Sequence, residues 1–207
     1  MRMAQPSVGE AGAAQALKVI DSLATEWTEA AQPIQFRIAT ALELDEVFRL
    51  RYRTIVEEGW ARAEDFPDGR ERDEFDDDAI HVVGLDGQAL AATSRLVLPH
   101  ARRPLPTEEA FELAVPLPRR LADLGRMVVA PDYRNGKHRI FAGLLARAWL
   151  EARSCGFEGL VGSASAAVIE RYVKLGLQMT ILGPARRHWG EERFPVCLDV
   201  GATAAQT

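Results

Sequence analysis

Two apolar runs, Ile80 to Leu85 and Ala89 to Leu98, are separated by little more than Asp86-Gly87. An Asp-Gly pair accepts the positive φ of a tight hairpin turn, so these runs are predicted to be neighbouring antiparallel strands. Around this hairpin, strand-type runs alternate with helical stripes. Ile34 to Ala39 alternates apolar and polar residues and reads as a strand. Leu42 to Gly59 carries Leu44, Val47, Phe48, Tyr52, Ile55 and Val56 at helical spacing. After the hairpin come a loop from His100 to Arg120 with a short helix near Glu108 to Leu113, and a strand from Leu121 to Ala130. A helix from Gly136 to Cys155 ends at Gly156, followed by a strand from Gly159 to Ser163 and a helix from Ala166 to Leu175. Leu177 to Leu182 and Pro195 to Val200 supply the last strands. This order predicts an α/β fold, a mixed sheet with helices on both faces.

Ahead of the first strand, Ala16, Leu17, Val19, Ile20, Leu23, Ala24 and Trp27 predict an accessory amphipathic helix from Ala13 to Ala30, stopped at Pro33. The first dozen residues are expected to be a frayed tail. Residues 1–32 are thus assigned to tail and helix, 33–201 to the main domain and 202–207 to a C-terminal tail.

The 207 residues are 47% hydrophobic, enough for a real core. A net charge of −5 argues against nucleic acid, whose binders need excess Lys and Arg to replace counterions. Cys155 and Cys197 have neither metal-type spacing nor a disulfide framework and read as reduced thiols, which fits the cytoplasm. No apolar run approaches a membrane span, and the first residues lack the order of a signal peptide.

Four features could carry chemistry. Arg51 lies beside the apolar stripe of its helix, and a buried Arg needs a carboxylate partner. The run Asp73-Glu74-Phe75-Asp76-Asp77-Asp78 reads either as a solvated loop or, with Phe75 as anchor, as carboxylates aimed together at Arg51, Arg95 or an amine. Arg95 stands inside a strand, which is costly unless it is paired. Asp123-Leu124-Gly125-Arg126-Met127-Val128-Val129 leads into a turn and a helix start, an arrangement that suits an anion. Arg134, Lys137, His138 and Arg139 add positive charge there, although such a cluster also reads as a surface patch. No residue looks like a covalent nucleophile, because Cys155 sits at a helix end whose dipole disfavours a thiolate.

Several segments together resemble the N-acyl amino acid synthase branch of the GNAT-like acyltransferases, kin of the acyl-homoserine-lactone (autoinducer) synthases. In the first half they are Arg51 with Gly59-Trp60, Phe66 to Glu71, Asp73-Glu74-Phe75-Asp76, Ser94-Arg95-Leu96, Phe111, and Asp123 with Arg126. In the second they are Pro131 to Arg134, Arg171 to Gly176 and Trp189 to Val196. The likeness runs from about Ile34 to Val200. Ile55 stands where lactone synthases usually carry Phe, and Asp123 where they usually carry Glu. Leu182-Gly183-Pro184 and Trp189-Gly190-Glu191 are more similar to the amino acid synthases.

The resemblance implies a GNAT-like, mostly antiparallel α+β sheet. It also implies transfer of a long-chain acyl group from acyl carrier protein to the amine of an amino acid. Asp123, Arg126 and Arg95 would act in catalysis, and Arg51, Trp60, Asp73, Asp76 and Phe111 would hold the acceptor. Met127, Val129, Arg134, Gly136, Lys137 and Arg139 would hold the donor, an acyl-phosphopantetheine thioester. No bound cofactor or metal is implied. The donor loop Arg134-Asn135-Gly136-Lys137-His138-Arg139 has fewer small residues than loops that wrap the pyrophosphate of coenzyme A, which favours a carrier protein over acyl-CoA. Asp123 is the expected general base, with a salt bridge to Arg126 or Arg51 as its structural alternative. A bulge near Gly125 would let Asp123 and Arg126 face one cleft. Lactone synthesis from S-adenosylmethionine, or a ligand-binding module without turnover, are the competing readings.

Overall fold

The computed structural model describes residues 8–113, 120–134 and 138–207. One eight-stranded sheet organises them. Its strands are β1 (Gln35–Ile38), β2 (Ile80–Asp86), β3 (Ala89–Val97), β4 (Leu121–Val129), β5 (Gly159–Ala164), β6 (Met179–Ile181), β7 (Arg186–His188) and β8 (Glu191–Leu198). They lie in the order β1-β2-β3-β4-β5-β8-β6, with β7 paired to β8. Every pairing is antiparallel except β4 with β5. The sheet is mixed and mostly antiparallel.

The β2–β3 hairpin forms where expected, with Asp86 facing Ala89, and Gly87 takes φ 59° in the turn. α1 (Val8–Ala30) and α4 (Arg139–Ser154) pack on each other, and α4 packs across β1 to β5. α2 (Leu44–Glu57) packs on β3 and β4. Val82 belongs to the core cluster under α1 and α4, while the adjacent Val83, equally buried, turns to the opposite face as strand alternation requires. At Gly143 of α4, an added Cβ would lie 2.4 Å from the Phe36 ring. The missing side chain is what lets α4 approach β1.

Four expectations need correction. α1 starts at Val8, so helix replaces the last five of the dozen residues expected to be a frayed tail, and it is part of the core. Ile20 and Ala24, one turn apart, are buried, and Trp149 of α4 donates its indole N–H to Asp21 at 2.8 Å. The end of the chain is also structured: α6 (Val200–Ala204) is capped by Asp199, whose side chain accepts from the Ala202 N–H. Thr203 of α6 is fully buried and accepts from the Gln178 N–H. β8 begins at Glu191 rather than Pro195, because β7 pairs with its first residues. The strand expected from Leu177 to Leu182 shortens to Met179–Ile181. The remaining helices, α3 (Pro106–Phe111) and α5 (Ala166–Lys174), fall close to their expected places. No helix among the described residues is long and apolar enough to cross a membrane.

Candidate active site

The parallel pairing of β4 with β5 lasts only from Leu121–Gly159 to Asp123–Val161. Beyond Asp123 the strands part, while β5 stays paired with β8 as far as Ala164. Among the described residues, the backbone edge of β4 on this side therefore has no neighbouring strand. A cleft of about 480 Å³ occupies the fork, bounded by β4, the first turn of α4, α5 and the β7–β8 hairpin.

Three arginines and Glu71 form its floor, backed by Asp73 and Asp76. Arg51 of α2 pairs with Glu71 and, through Nη1 at 2.7 Å and Nη2 at 3.1 Å, with Asp76. Arg95 of β3 pairs with Asp73, and with Asp76 at 3.1 Å. Arg126 of β4 reaches Glu71 at 3.0 Å through Nε and Asp73 at 2.7 Å through Nη2. The six side chains close an alternating ring, Arg51–Glu71–Arg126–Asp73–Arg95–Asp76. Each buried charge thus has partners of opposite sign on both sides, the condition under which charges tolerate removal from water. Burial alone would raise the pKa of Asp76, but its bonds to Arg51 and the charges of Arg51 and Arg95 bring it to about 2.

The acidic loop is shaped for this role. The Asp73 N–H donates to Asp76 at 2.8 Å, the Phe75 N–H donates to Asp73 at 3.0 Å, and the buried Phe75 ring anchors the turn. Arg103 stacks over that ring at 4.2 Å.

Asp123 stands apart from the ring. It is 3% exposed and has no salt bridge among the described residues. Its Oδ2 accepts the Thr107 N–H of α3 at 2.8 Å. Burial raises its pKa to about 6, against the opposing effect of the Thr107 bonds and the charges of Arg95 and Arg126. The alternative of a salt bridge to Arg126 or Arg51 is not what forms. The bulge lies one residue beyond Gly125. β3 advances two residues from Thr93 to Arg95 while β4 advances three between Val128 and Gly125, and Arg126 takes φ 51°. Asp123 and Arg126 both line the cleft as a result.

Arg51, Trp60, Arg95, Met127, Val129 and Arg134 also line it. Asp73 and Asp76 lie behind the ring arginines. Phe111 does not reach the cleft; it is 2% exposed and packs edge-on beneath His188 at 5.9 Å. Arg139 is exposed at the start of α4 and does not line the cleft. Arg134 is not a free cation, since it bonds the Val129 carbonyl at 2.9 Å, Glu58 at 3.0 Å and Glu57 at 3.4 Å. Gly136 and Lys137 lie outside the described residues.

Sequence reasoning gave no role to Glu71, Thr107, His188, Trp189 or Arg193. The last three sit on the β7–β8 hairpin, whose turn residues Trp189 and Gly190 have φ of 51° and 73°. Gly190 was the readable signal for a two-residue turn. Trp189 lies under the Arg126 guanidinium at 4.2 Å, and Trp60 under that of Arg193 at 4.9 Å. A Cβ at Gly190 would come within 2.7 Å of the Trp60 backbone. Gly190→Ala should therefore lower stability by about 2–3 kcal/mol, combining left-handed strain with overpacking. A urea midpoint equal to wild type would show that the hairpin tip is not seated on Trp60.

A central sheet that forks after β4, with helices on both faces, is the fold of the GNAT acyltransferases. Residues 50–142 match the family model described as an acetyltransferase (GNAT) domain. Among solved structures, the chain is similar to the CoA-dependent acyl-homoserine lactone synthase BjaI, solved with SAM and isopentyl-CoA. Identity is 23%, coverage 81% of this chain and 82% of that one, and the TM-score 0.63. It is likewise similar to FeeM, an N-acyl amino acid synthase from uncultured soil microbes, at 20% identity, 84% and 94% coverage and a TM-score of 0.64. A third similar structure is TofI in a ternary complex with an inhibitor and MTA, at 21% identity, 84% and 97% coverage and a TM-score of 0.65. At these identities the likeness establishes the fold.

Proposed function

We propose that this protein is an N-acyltransferase that moves an acyl group from a phosphopantetheine thioester, presented by acyl carrier protein, to the amine of an amino acid. The observation that carries this reading is the position of Asp123. It is a buried carboxyl whose pKa is raised to about 6, and it stands where β4 and β5 part. A general base works best with a pKa near the working pH. At neutral pH this carboxylate is ionised, yet far more basic than an exposed Asp. It takes the proton from the acceptor's ammonium, and the freed amine attacks the thioester carbonyl. The tetrahedral intermediate collapses to an amide and a thiol, the excess proton on the attacking nitrogen passing to the departing thiolate. The unpaired edge of β4 beyond Asp123 supplies backbone N–H groups for the oxyanion.

The donor end of the cleft is supported by Arg171 of α5. It makes no salt bridge among the described residues and lies 5.1 Å over Phe141, in the first turn of α4. That places a cation beside a helix N-terminus, a combination suited to a phosphodiester. Behind Leu124, Ser163 and Tyr172, an apolar pocket of about 40 Å³ runs under Leu23 and Trp27 of α1. It suits an acyl tail, and a long one fits only if α1 yields.

The test is to incubate the purified protein with acyl carrier protein or coenzyme A thioesters of graded chain length. Amino acids and S-adenosylmethionine serve as acceptors, with thiol release and product mass measured. N-acyl amino acids are expected. Acyl lactones from S-adenosylmethionine alone would assign the lactone reaction instead, and no acylated product would leave a binding module.

A further inference from the structure

A helix leaves its first N–H groups without partners inside the helix, and at α3 one of these is buried. Pro106 occupies the first position of α3, where a missing N–H costs nothing. The Leu105 N–H ahead of it donates to Glu108 at 2.8 Å. Thr107 is buried, so its N–H needs an acceptor from outside the helix. Asp123 of β4 supplies it through Oδ2 at 2.8 Å, and the Thr107 hydroxyl donates to the same carboxyl. The branch at the Thr107 Cβ restricts χ1 and so holds that hydroxyl in place. The far end of α3 is anchored as well. Phe111 packs edge-on against His188, and Glu112, which follows the helix, pairs with Arg186 of β7 at 2.8 Å. α3 also packs on β5. The two donors are thus fixed by elements other than the strand that carries Asp123.

We propose that Thr107 is a positioning residue for the reaction: it holds one side of the Asp123 carboxylate by its N–H and hydroxyl, and so presents Oδ1 to the acceptor's proton. The inference rests on the acyl-transfer reading, with Asp123 as its base. Oδ1 lies on the side of Gly125, 3.9 Å from where a Cβ at that glycine would stand, and both residues line the cleft. The charged groups that act on Asp123 are Arg95 of β3 and Arg126 of β4, and both make their ion pairs within the ring. β5 carries no ionisable residue, and on α3 Glu108 is turned to Leu105 while Glu109 is exposed. Burial raises the pKa of Asp123 to about 6. Of the effects that oppose burial, the Thr107 hydroxyl is the largest, ahead of its N–H and of the two arginines. A donor to the charged form keeps the carboxylate ionised at neutral pH, when it must accept a proton.

The experiment compares Thr107→Val, which keeps the branch and loses the hydroxyl, with Thr107→Ser, which keeps the hydroxyl. Two readouts are taken on the full chain. The Asp123 carboxyl is titrated by carbon-13 NMR on aspartate-labelled protein, its signal assigned by its loss in Asp123→Asn, and kcat/KM is followed against pH. In Thr107→Val the carboxyl pKa and the acid limb of activity should both rise by about 1–2 units, the effect of removing one hydrogen bond to a charged group. At pH 6 that shift lowers kcat/KM by about 5–50-fold. Thr107→Ser should titrate close to wild type, and Thr107→Ala replaces the Val variant if that one does not fold. A carboxyl that titrates as in wild type without the hydroxyl overturns the role of Thr107 and leaves Asp123 as the base. A carboxyl pKa that rises while the acid limb stays in place overturns Asp123 as the base, and the role of Thr107 with it. Failure of wild type to acylate any amine overturns the acyl-transfer reading and this one together.

Discussion

Asp123→Asn should be more stable than wild type at pH 8 and turn over about 10²–10⁴-fold more slowly, the usual cost of losing a general base. The two effects have one origin. The folded pKa of Asp123, about 6, lies above the ordinary value of 3.8. The native state therefore holds this proton over a pH range in which the unfolded chain has released it. Stability from this group is fully present below pH 3.8 and declines as pH rises towards 6. Above 6 a constant penalty remains, about 3 kcal/mol at 1.36 kcal/mol per pKa unit. Asn keeps an oxygen for the Thr107 N–H and removes the penalty. The stability gain should vanish below about pH 4. In activity, wild type should show an acid limb near pH 6, and the variant should lack it. A variant with wild-type turnover would move the base elsewhere, and one with no gain at pH 8 would mean that water reaches Asp123.

Arg51→Ala should lower stability by about 3–5 kcal/mol, a large part of the 5–15 kcal/mol typical of a whole domain. Arg51 and Glu71 are each 1% exposed, so Glu71 and Asp76 would be left charged and unpaired out of water. Should the Ala variant not accumulate, Arg51→Lys tests the same point. It keeps the charge but loses the fork, and its denaturant midpoint should fall between those of wild type and an Arg51→Ala/Glu71→Gln double variant. In that double variant the two losses should sum to less than their separate values, because removing both partners leaves one fewer stranded charge. Arg53, two residues on, is the control. Its pair with Glu46 is half-exposed on both sides, and Arg53→Ala should unfold with wild type. If Arg51→Ala behaves like Arg53→Ala, the ring does not bear on stability.

Much of this was legible because burying charge leaves a trace in sequence. Arg51 beside an apolar stripe and Arg95 inside a strand each demanded a carboxylate, and a loop dense in acids stood between them. Glu71 was harder to read. It is one of several acids in that stretch, and only the fold shows that it alone bridges Arg51 and Arg126. Asp86-Gly87 announced its hairpin, whereas Arg186-Arg187-His188 has none of the apolar alternation of a strand and Trp189 is an uncommon residue at φ 51°. With β7 unseen, the wall carrying His188 and Arg193 stayed unseen as well. The bulge at Arg126 was displaced by one residue for a related reason. Glycine marks where positive φ is easy, but here Arg126 adopts it, held by Glu71, Asp73 and the Trp189 ring.

The brevity of the β4–β5 pairing has a mechanical consequence. Among the described residues, three residue pairs, Leu121 to Asp123 against Gly159 to Val161, form the one strand pairing between two panels, β1 to β4 and β5 to β8. Within each panel the ladders are antiparallel and all but continuous. The least costly deformation of the sheet is a rotation of one panel against the other about this seam, which breaks no ladder inside either. α4, packed across both panels, resists that rotation like a brace. The jaws at the far end of the fork thus share one hinge, and Asp123 sits at the pivot, where opening moves it least.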